Sequence, residues 1–146
     1  MMAAYSKPEI GFLSGAMHEE MFVKSFIQKE RRERALLLLQ TPMKRKEFTD
    51  KLAHLNWLDE RFATHIPGGV AHTADELIAL LKQKGAGNQT WVISEDEAID
   101  GRQLPLDEAM KAMWGVCRFT ALSCIPGKLA FLRGEEMKSE YLLQHP

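Results

Sequence analysis

The stretch Trp91-Val92-Ile93-Ser94-Glu95-Asp96-Glu97-Ala98-Ile99-Asp100-Gly101 joins an apolar run to an acidic loop. Its first four residues are typical of a β-strand, and Asp100-Gly101 is a turn signal. Such a junction places carboxylates at the carboxyl end of a strand, where open sheets often bind ligands. The sequence therefore predicts a strand over residues 90–94 and a candidate site in the loop that follows it.

Helix signals precede this strand. Residues 29–58 have the pattern of a helical hairpin that is interrupted at Thr41-Pro42, where Thr is a good N-cap and Pro suits the first helical position. Thr73-Ala74-Asp75-Glu76 is a capping box, and Gly85 is placed to end the helix that it begins. The apolar spacing predicts that this helix buries four side chains: Leu77, Ile78, Leu80 and Leu81.

After the acidic loop we expect a helix over Leu106–Trp114 and a β-hairpin around Pro126-Gly127. The hairpin connection should exceed two residues, because two-residue hairpins favour primed turns rather than the turn that Pro-Gly prefers. The C-terminal half then has the order β-α-β-β. This order predicts an α+β fold in which N-terminal helices pack on a small mixed sheet of three or four strands. A second covered face is left open, because the strand residues do not alternate cleanly with polar ones.

Composition limits the class of protein. The chain has 146 residues and a net charge of -1, which argues against a strongly basic nucleic-acid coat. Residues 17–146 are expected to form one domain after a loosely ordered arm over residues 1–16, where Pro and Gly break any periodicity. Two cysteines are typical of a reducing compartment, so we expect a cytoplasmic protein. No segment has the roughly 20 apolar residues of a membrane span or the core of a secretory signal.

The acidic loop supplies the catalytic candidates Glu95, Asp96 and Asp100, of which Asp96 and Asp100 are also the metal candidates. The calcium-loop template fails there: with Gly101 as its glycine, Ala98 occupies the third ligand position and Asp107 the twelfth. A magnesium site lacks a phosphate cradle, because Gly85-Ala86-Gly87-Asn88 precedes a strand rather than following one. We therefore predict no cofactor and keep a divalent cation as an alternative. A solvated turn is the simpler interpretation of the loop.

Cys124 is the remaining catalytic candidate. A nucleophilic cysteine needs a base or a helix N-terminus that lowers the pKa of its thiol. No recognisable motif connects any of the five histidines to Cys124. A buried thiol in a strand is the simpler interpretation.

The helical hairpin is the nucleic-acid candidate, since residues 29–51 carry 8 basic and 4 acidic side chains. Six of these eight cations are the candidates for phosphate contacts: Arg31, Arg32, Arg34, Lys44, Arg45 and Lys46. The acidic residues among them indicate ordinary pairing on helix faces, and no aromatic platform for bases accompanies them. Nucleic-acid binding is therefore the third hypothesis.

The leading hypothesis is a small regulatory domain, without catalysis, that binds a ligand or a protein at the loop after strand 90–94. A homodimer through Met110, Met113 and Trp114 belongs to this hypothesis, because methionines suit adaptable contact surfaces. The alternative is a hydrolase or transferase that uses the acidic loop, with or without a metal. No nucleotide-binding, kinase, hydrolase, thioredoxin or zinc-finger signature is present in the sequence.

Overall fold

The first half of the chain is helical. The structure, a computed structural model, describes residues 15–67, 73–114, 118–134 and 140–146. Three helices come first, namely α1 (Gly15–Phe26), α2 (Arg32–Gln40) and α3 (Arg45–Ala53). Short 3-10 turns at Lys29–Arg31 and Pro42–Lys44 lead into α2 and α3. The predicted helical hairpin is therefore present. Of the predicted arm over residues 1–16, residues 1–14 lie outside the described part, and residues 15 and 16 begin α1.

Two more helices and six strands complete the fold. The helices are α4 (Ala74–Gln83) and α5 (Leu106–Trp114). The strands are β1 (Ala63–His65), β2 (Gln89–Ser94), β3 (Arg102–Pro105), β4 (Thr120–Ile125), β5 (Leu129–Arg133) and β6 (Glu140–Gln144). Helix α5 has the bounds that the sequence predicts. None of the helices in the described ranges has both the length and the apolar composition that a membrane span requires.

The strands form one sheet in the order β1-β6-β5-β4-β2-β3, and every neighbouring pair is antiparallel. The α+β class is confirmed, but the predicted mixed sheet of three or four strands and the order β-α-β-β are wrong. Strand β3 follows β2 and reverses the chain, so that β4 returns antiparallel to β2 after α5. The polar, proline-ended sequence of β3 and the three-residue length of β1 carry little strand signal of their own.

Helices cover both faces of the sheet. Helices α1 to α3 pack on one face and bury Ile93, Ala121 and Leu132 in the first core. Helices α4 and α5 pack on the other face and bury Val92 and Leu122 in the second core. The side chains of Val92 and Ile93 lie in different cores because neighbouring residues of a strand point to opposite faces. The second covered face that the sequence left open is therefore present.

Local signals determine where several elements end. The capping box is formed, since the Thr73 side chain accepts from the Glu76 N–H and the Glu76 carboxylate accepts from the Thr73 N–H. Gly85, with φ 111°, follows α4 in a conformation that favours glycine. Only Leu77 and Leu81 of the four expected side chains are fully buried. Thr41 does not cap α3, because its hydroxyl donates to the Leu37 carbonyl of α2 at 2.8 Å.

The β4–β5 connection exceeds two residues, as the sequence predicts. Ile125 pairs with Leu129 across the hairpin, which leaves three residues between the two strands. Gly127 has φ 70°, and the Lys128 N–H donates to the Ile125 carbonyl at 2.9 Å. This is the geometry of a turn with proline before a glycine of positive φ.

Candidate functional site

The acidic loop between β2 and β3 is held by its own hydrogen bonds. The Asp96 carboxylate accepts from the Ala98 N–H at 3.0 Å, and the Ser94 hydroxyl accepts from the Asp96 N–H at 2.9 Å. The Glu95 carboxylate accepts from the Phe119 N–H at 3.0 Å and so ties the loop to the start of β4. These carboxylates therefore serve the loop's own geometry.

Asp100 forms an ion pair with Arg45 of helix α3. Its Oδ1 accepts from the Ser94 N–H at 2.9 Å, and both of its oxygens accept from Arg45 at 2.9 and 3.1 Å. The guanidinium of Arg45 also donates to both oxygens of Glu19, at 2.8 and 2.7 Å. We call Glu19, Arg45 and Asp100 the Arg45 triad. It connects α1, α3 and the acidic loop in one ionic cluster.

Every hydrogen-bond donor of the Arg45 guanidinium has an acceptor within the protein. Its five N–H groups donate to Glu19, to Asp100 and to the Leu39 carbonyl, which lies 3.0 Å from Nη1. The hydrogen bonds to Glu19, and then those to Asp100, raise the pKa of Arg45 above its ordinary value, against the effect of burial. The triad as a whole carries one negative charge.

Trp91 stands beside the triad on β2. Its indole Nε1–H donates to Glu19 Oε2 at 2.9 Å, and its ring lies against the backbone of α1 at Gly15. A Cβ at Gly15 would overlap the indole, so the close approach of helix and ring requires glycine there.

An open cavity of about 540 Å³, which we call the Trp91 cavity, lies between α1, α2 and the acidic loop. Ala16, Leu36, Leu39 and the Trp91 ring give it apolar walls, while Glu20, Gln40 and the Arg45 triad give it a polar rim. Its volume is within the usual range of ligand sites, and mostly apolar walls with a few placed polar groups are typical of such sites. The cavity can accept a ligand without any covalent chemistry.

His18 and Ser123 are buried beneath Trp91. The His18 Nδ1 lies 2.8 Å from the Ser123 hydroxyl oxygen, and the imidazole stacks on the indole with ring centroids 6.2 Å apart. Neither residue lines the Trp91 cavity. Burial lowers the pKa of His18 to about 4. The neutral imidazole is therefore part of the first core's polar packing.

Cys124 is far from the acidic loop. Its Sγ lies 3.9 Å from the Thr90 hydroxyl, near the start of β2, whereas the acidic loop follows the end of that strand. Burial raises the pKa of Cys124 to about 12, against a smaller effect of the hydrogen bond with Thr90. A protonated, buried thiol is a poor nucleophile. The structure does not bring Cys124 together with Glu95, Asp96 or Asp100.

The cations of the helical hairpin are dispersed in other contacts. Arg32 donates to the Ile27 carbonyl at 3.0 Å, and the Arg31 guanidinium lies over the Trp57 ring at 5.9 Å. Arg34 forms an exposed ion pair with Glu47 at 3.6 Å. Arg45 belongs to the triad, and Lys44 and Lys46 are exposed, as are Arg31 and Arg34.

The proposed dimer residues lie on α5. Met110 and Met113 are buried in the second core, with exposed fractions of 0% and 2%. Trp114 is partly exposed, and the Arg133 guanidinium lies over its ring at 4.2 Å. Trp114 is thus the one of the three that a second chain can reach, and the homodimer stays a prediction.

The sequence did not indicate Glu19 or the pairing role of Arg45. Arg45 is 26 residues from Glu19 and 55 from Asp100 along the chain, and no local pattern signals such pairs. Within the described residues, no three His, Cys, Asp or Glu side chains are grouped so that they could hold a metal ion. The chain matches no protein-family model, no curated protein and no solved structure.

Proposed function

We propose that this protein is a cytoplasmic binding domain without catalysis, whose ligand occupies the Trp91 cavity. The observation that carries the proposal is the combination of apolar walls, an aromatic face and a rim of fixed charges in one cavity of about 540 Å³. The two cysteines of the chain support the compartment.

The hydrogen bonds of Asp100 favour binding over catalysis at this residue. A general acid, a general base or a metal ligand needs a carboxylate with lone pairs or a proton to exchange. Asp100 accepts two hydrogen bonds from Arg45 and one from the Ser94 N–H, whereas Asp96 and Glu95 each accept one from a backbone N–H. A rim that is already ordered in this way costs a ligand little reorganisation.

Three probes of similar size and different charge test the proposal: benzylamine, benzyl alcohol and benzoate. Each is titrated into the full chain while backbone amide and indole N–H shifts are followed by NMR. We expect at least one probe to shift the signals of Ala16, Gly101 and the Trp91 indole in a saturable manner. The three charges make the experiment independent of the sign that the ligand carries.

A blocking variant locates the binding. Ala16 is exposed and lines the cavity, so Ala16→Trp should fill it and abolish the shifts. Met17→Trp adds the same side chain to the next position of α1, outside the cavity lining, and should leave them in place. Absence of saturable shifts for all three probes, or equal shifts in both variants, would contradict the proposal.

A further inference from the structure

Two further cavities adjoin the Trp91 cavity and share different lining residues with it. The α2 cavity, of about 530 Å³, shares Leu36 and Gln40 with it. The loop cavity, of about 340 Å³, shares Arg45 and Asp100 with it. We call the three together the helical groove. One small molecule fills a single cavity of this size, whereas three adjoining cavities suit an extended ligand.

Exposed apolar side chains line the two outer cavities. Leu37 lines the α2 cavity and is 51% exposed, and Met43 lines the loop cavity and is 91% exposed. They are two of the three large apolar side chains that are exposed in the described parts of the chain. Exposed apolar groups that converge on one groove are typical of interaction sites, and methionine adapts to varied partners.

The groove has a surplus of negative charge. Its lining includes three cations, which are Arg34, Arg45 and Lys46. Against them stand six carboxylates, which are Glu19, Glu20, Glu33, Glu95, Glu97 and Asp100. The ion-pair partners just outside, Lys24 and Glu47, add one charge of each sign and leave the surplus unchanged.

The central cation cannot offset this surplus for an anionic ligand. All five N–H groups of Arg45 donate to protein acceptors, so the guanidinium has none left for a carboxylate or a phosphate. The Trp91 ring in the same wall is a surface that attracts cations through its π electrons. Charge complementarity in the groove therefore favours a basic ligand.

We propose that the helical groove binds a segment of a partner protein that carries both basic and apolar side chains. This inference rests on the proposed function and specifies the chemical class of the ligand. Lysine or arginine side chains of the segment pair with exposed carboxylates of the groove such as Glu33 and Glu97, while its apolar side chains contact Leu36, Leu37 and Met43. A free polyanion, including nucleic acid, is disfavoured by the same carboxylates.

Three peptides test whether the ligand is basic. Each has an acetylated N-terminus, an amidated C-terminus and three repeats of one tripeptide, which is Lys-Leu-Gly, Gln-Leu-Gly or Glu-Leu-Gly. Their dissociation constants for the full chain are measured by NMR titration. We expect the lysine peptide to bind at least about tenfold more tightly than the glutamine peptide, and the glutamate peptide to bind most weakly. Added salt should weaken the lysine peptide selectively, because screening acts on its charges.

Matched double variants test whether the lysine peptide binds in the helical groove. Glu33→Gln with Glu97→Gln neutralises two exposed carboxylates of the groove that make no hydrogen bond to Arg45. We expect the affinity for the lysine peptide to fall about three- to tenfold. Asp75→Asn with Glu108→Gln makes the same change of charge on α4 and α5, on the opposite layer, and should change the affinity less than twofold.

The outcomes separate the two proposals. If the glutamine or glutamate peptide binds as tightly as the lysine peptide, or if both double variants weaken binding equally, the peptide inference is overturned. Saturable shifts from the benzyl probes at the Trp91 cavity would then still support the proposed function. If those probes fail as well, the proposed function itself is overturned.

Discussion

At the scale of single residues, Arg45 is the position on which most of the site depends. Its guanidinium balances two carboxylates, of which Glu19 has a side chain only 10% exposed. Removal of one partner from such a cluster leaves charges with poor solvation, which costs more than the pair's net contribution to folding. The same side chain also forms part of the wall of two cavities.

Arg45→Met should lower the free energy of unfolding by about 3 kcal/mol, because Glu19 and Asp100 are left facing each other without a cation. Urea unfolding measures this change. Arg34→Met removes a guanidinium from an ion pair whose side chains are both 55% exposed, and it should cost no more than about 0.5 kcal/mol. Equal costs for the two variants would show that the triad does not stabilise the fold.

The buried imidazole of His18 makes stability depend on pH. Its pKa is lowered from 6.5 to about 4, so the unfolded chain binds a proton before the folded chain does. The contribution is present in full above the unfolded pKa and is lost as the pH falls from about 6.5 to about 4. The loss amounts to roughly 3 kcal/mol.

Urea unfolding at a series of pH values in this window tests the assignment. His18→Gln should flatten the slope of stability against pH relative to the unaltered protein. His54→Gln, at an imidazole that is 56% exposed, should keep the original slope. Identical slopes in all three proteins would remove His18 as the cause.

At the scale of elements, the end of α4 offers a comparison between two glycines. Gly85 has φ 111°, and a Cβ there would lie 3.4 Å from Ile125, whereas a Cβ at Gly87 would have no neighbouring atom within 4 Å. Gly85→Ala should lower stability by about 1–2 kcal/mol through backbone strain, and Gly87→Ala should be neutral or slightly stabilising. Thermal and urea unfolding distinguish them. A neutral Gly85→Ala would rule out this strain.

Helices with capping residues, glycine or proline at their ends could be predicted from the sequence. The capping box and Gly85 define α4, and α5 follows a proline and matches its predicted bounds. Strand β3 could not be predicted, because its residues Arg-Gln-Leu-Pro acquire a strand conformation only by pairing with β2. The Arg45 triad could not be predicted either, since its members meet only after helices and sheet have packed. The sequence indicates its one loop carboxylate, Asp100, but neither Glu19 nor the pairing role of Arg45.

At the scale of the whole molecule, the sheet separates two apolar cores that share no side chain. Ile27→Val in the first core and Ile99→Val in the second should each cost about 1 kcal/mol. The double variant should cost their sum within about 0.5 kcal/mol, because the two sites have no common contacts. Urea unfolding of the unaltered protein, the two single variants and the double variant provides this double-mutant cycle. A coupling energy above about 1 kcal/mol would mean that the sheet transmits packing changes between the layers.

The strand order has a consequence for association between chains. The two edge strands of the sheet are also its shortest, β1 with three residues and β3 with four. An edge strand exposes unpaired backbone groups that can recruit another strand, and short edges offer little template for this. Pro105 at the end of β3 also lacks an N–H, and Arg102 at its start brings a charge. The apolar strands β4 and β5, which would aggregate most readily, are enclosed between paired neighbours.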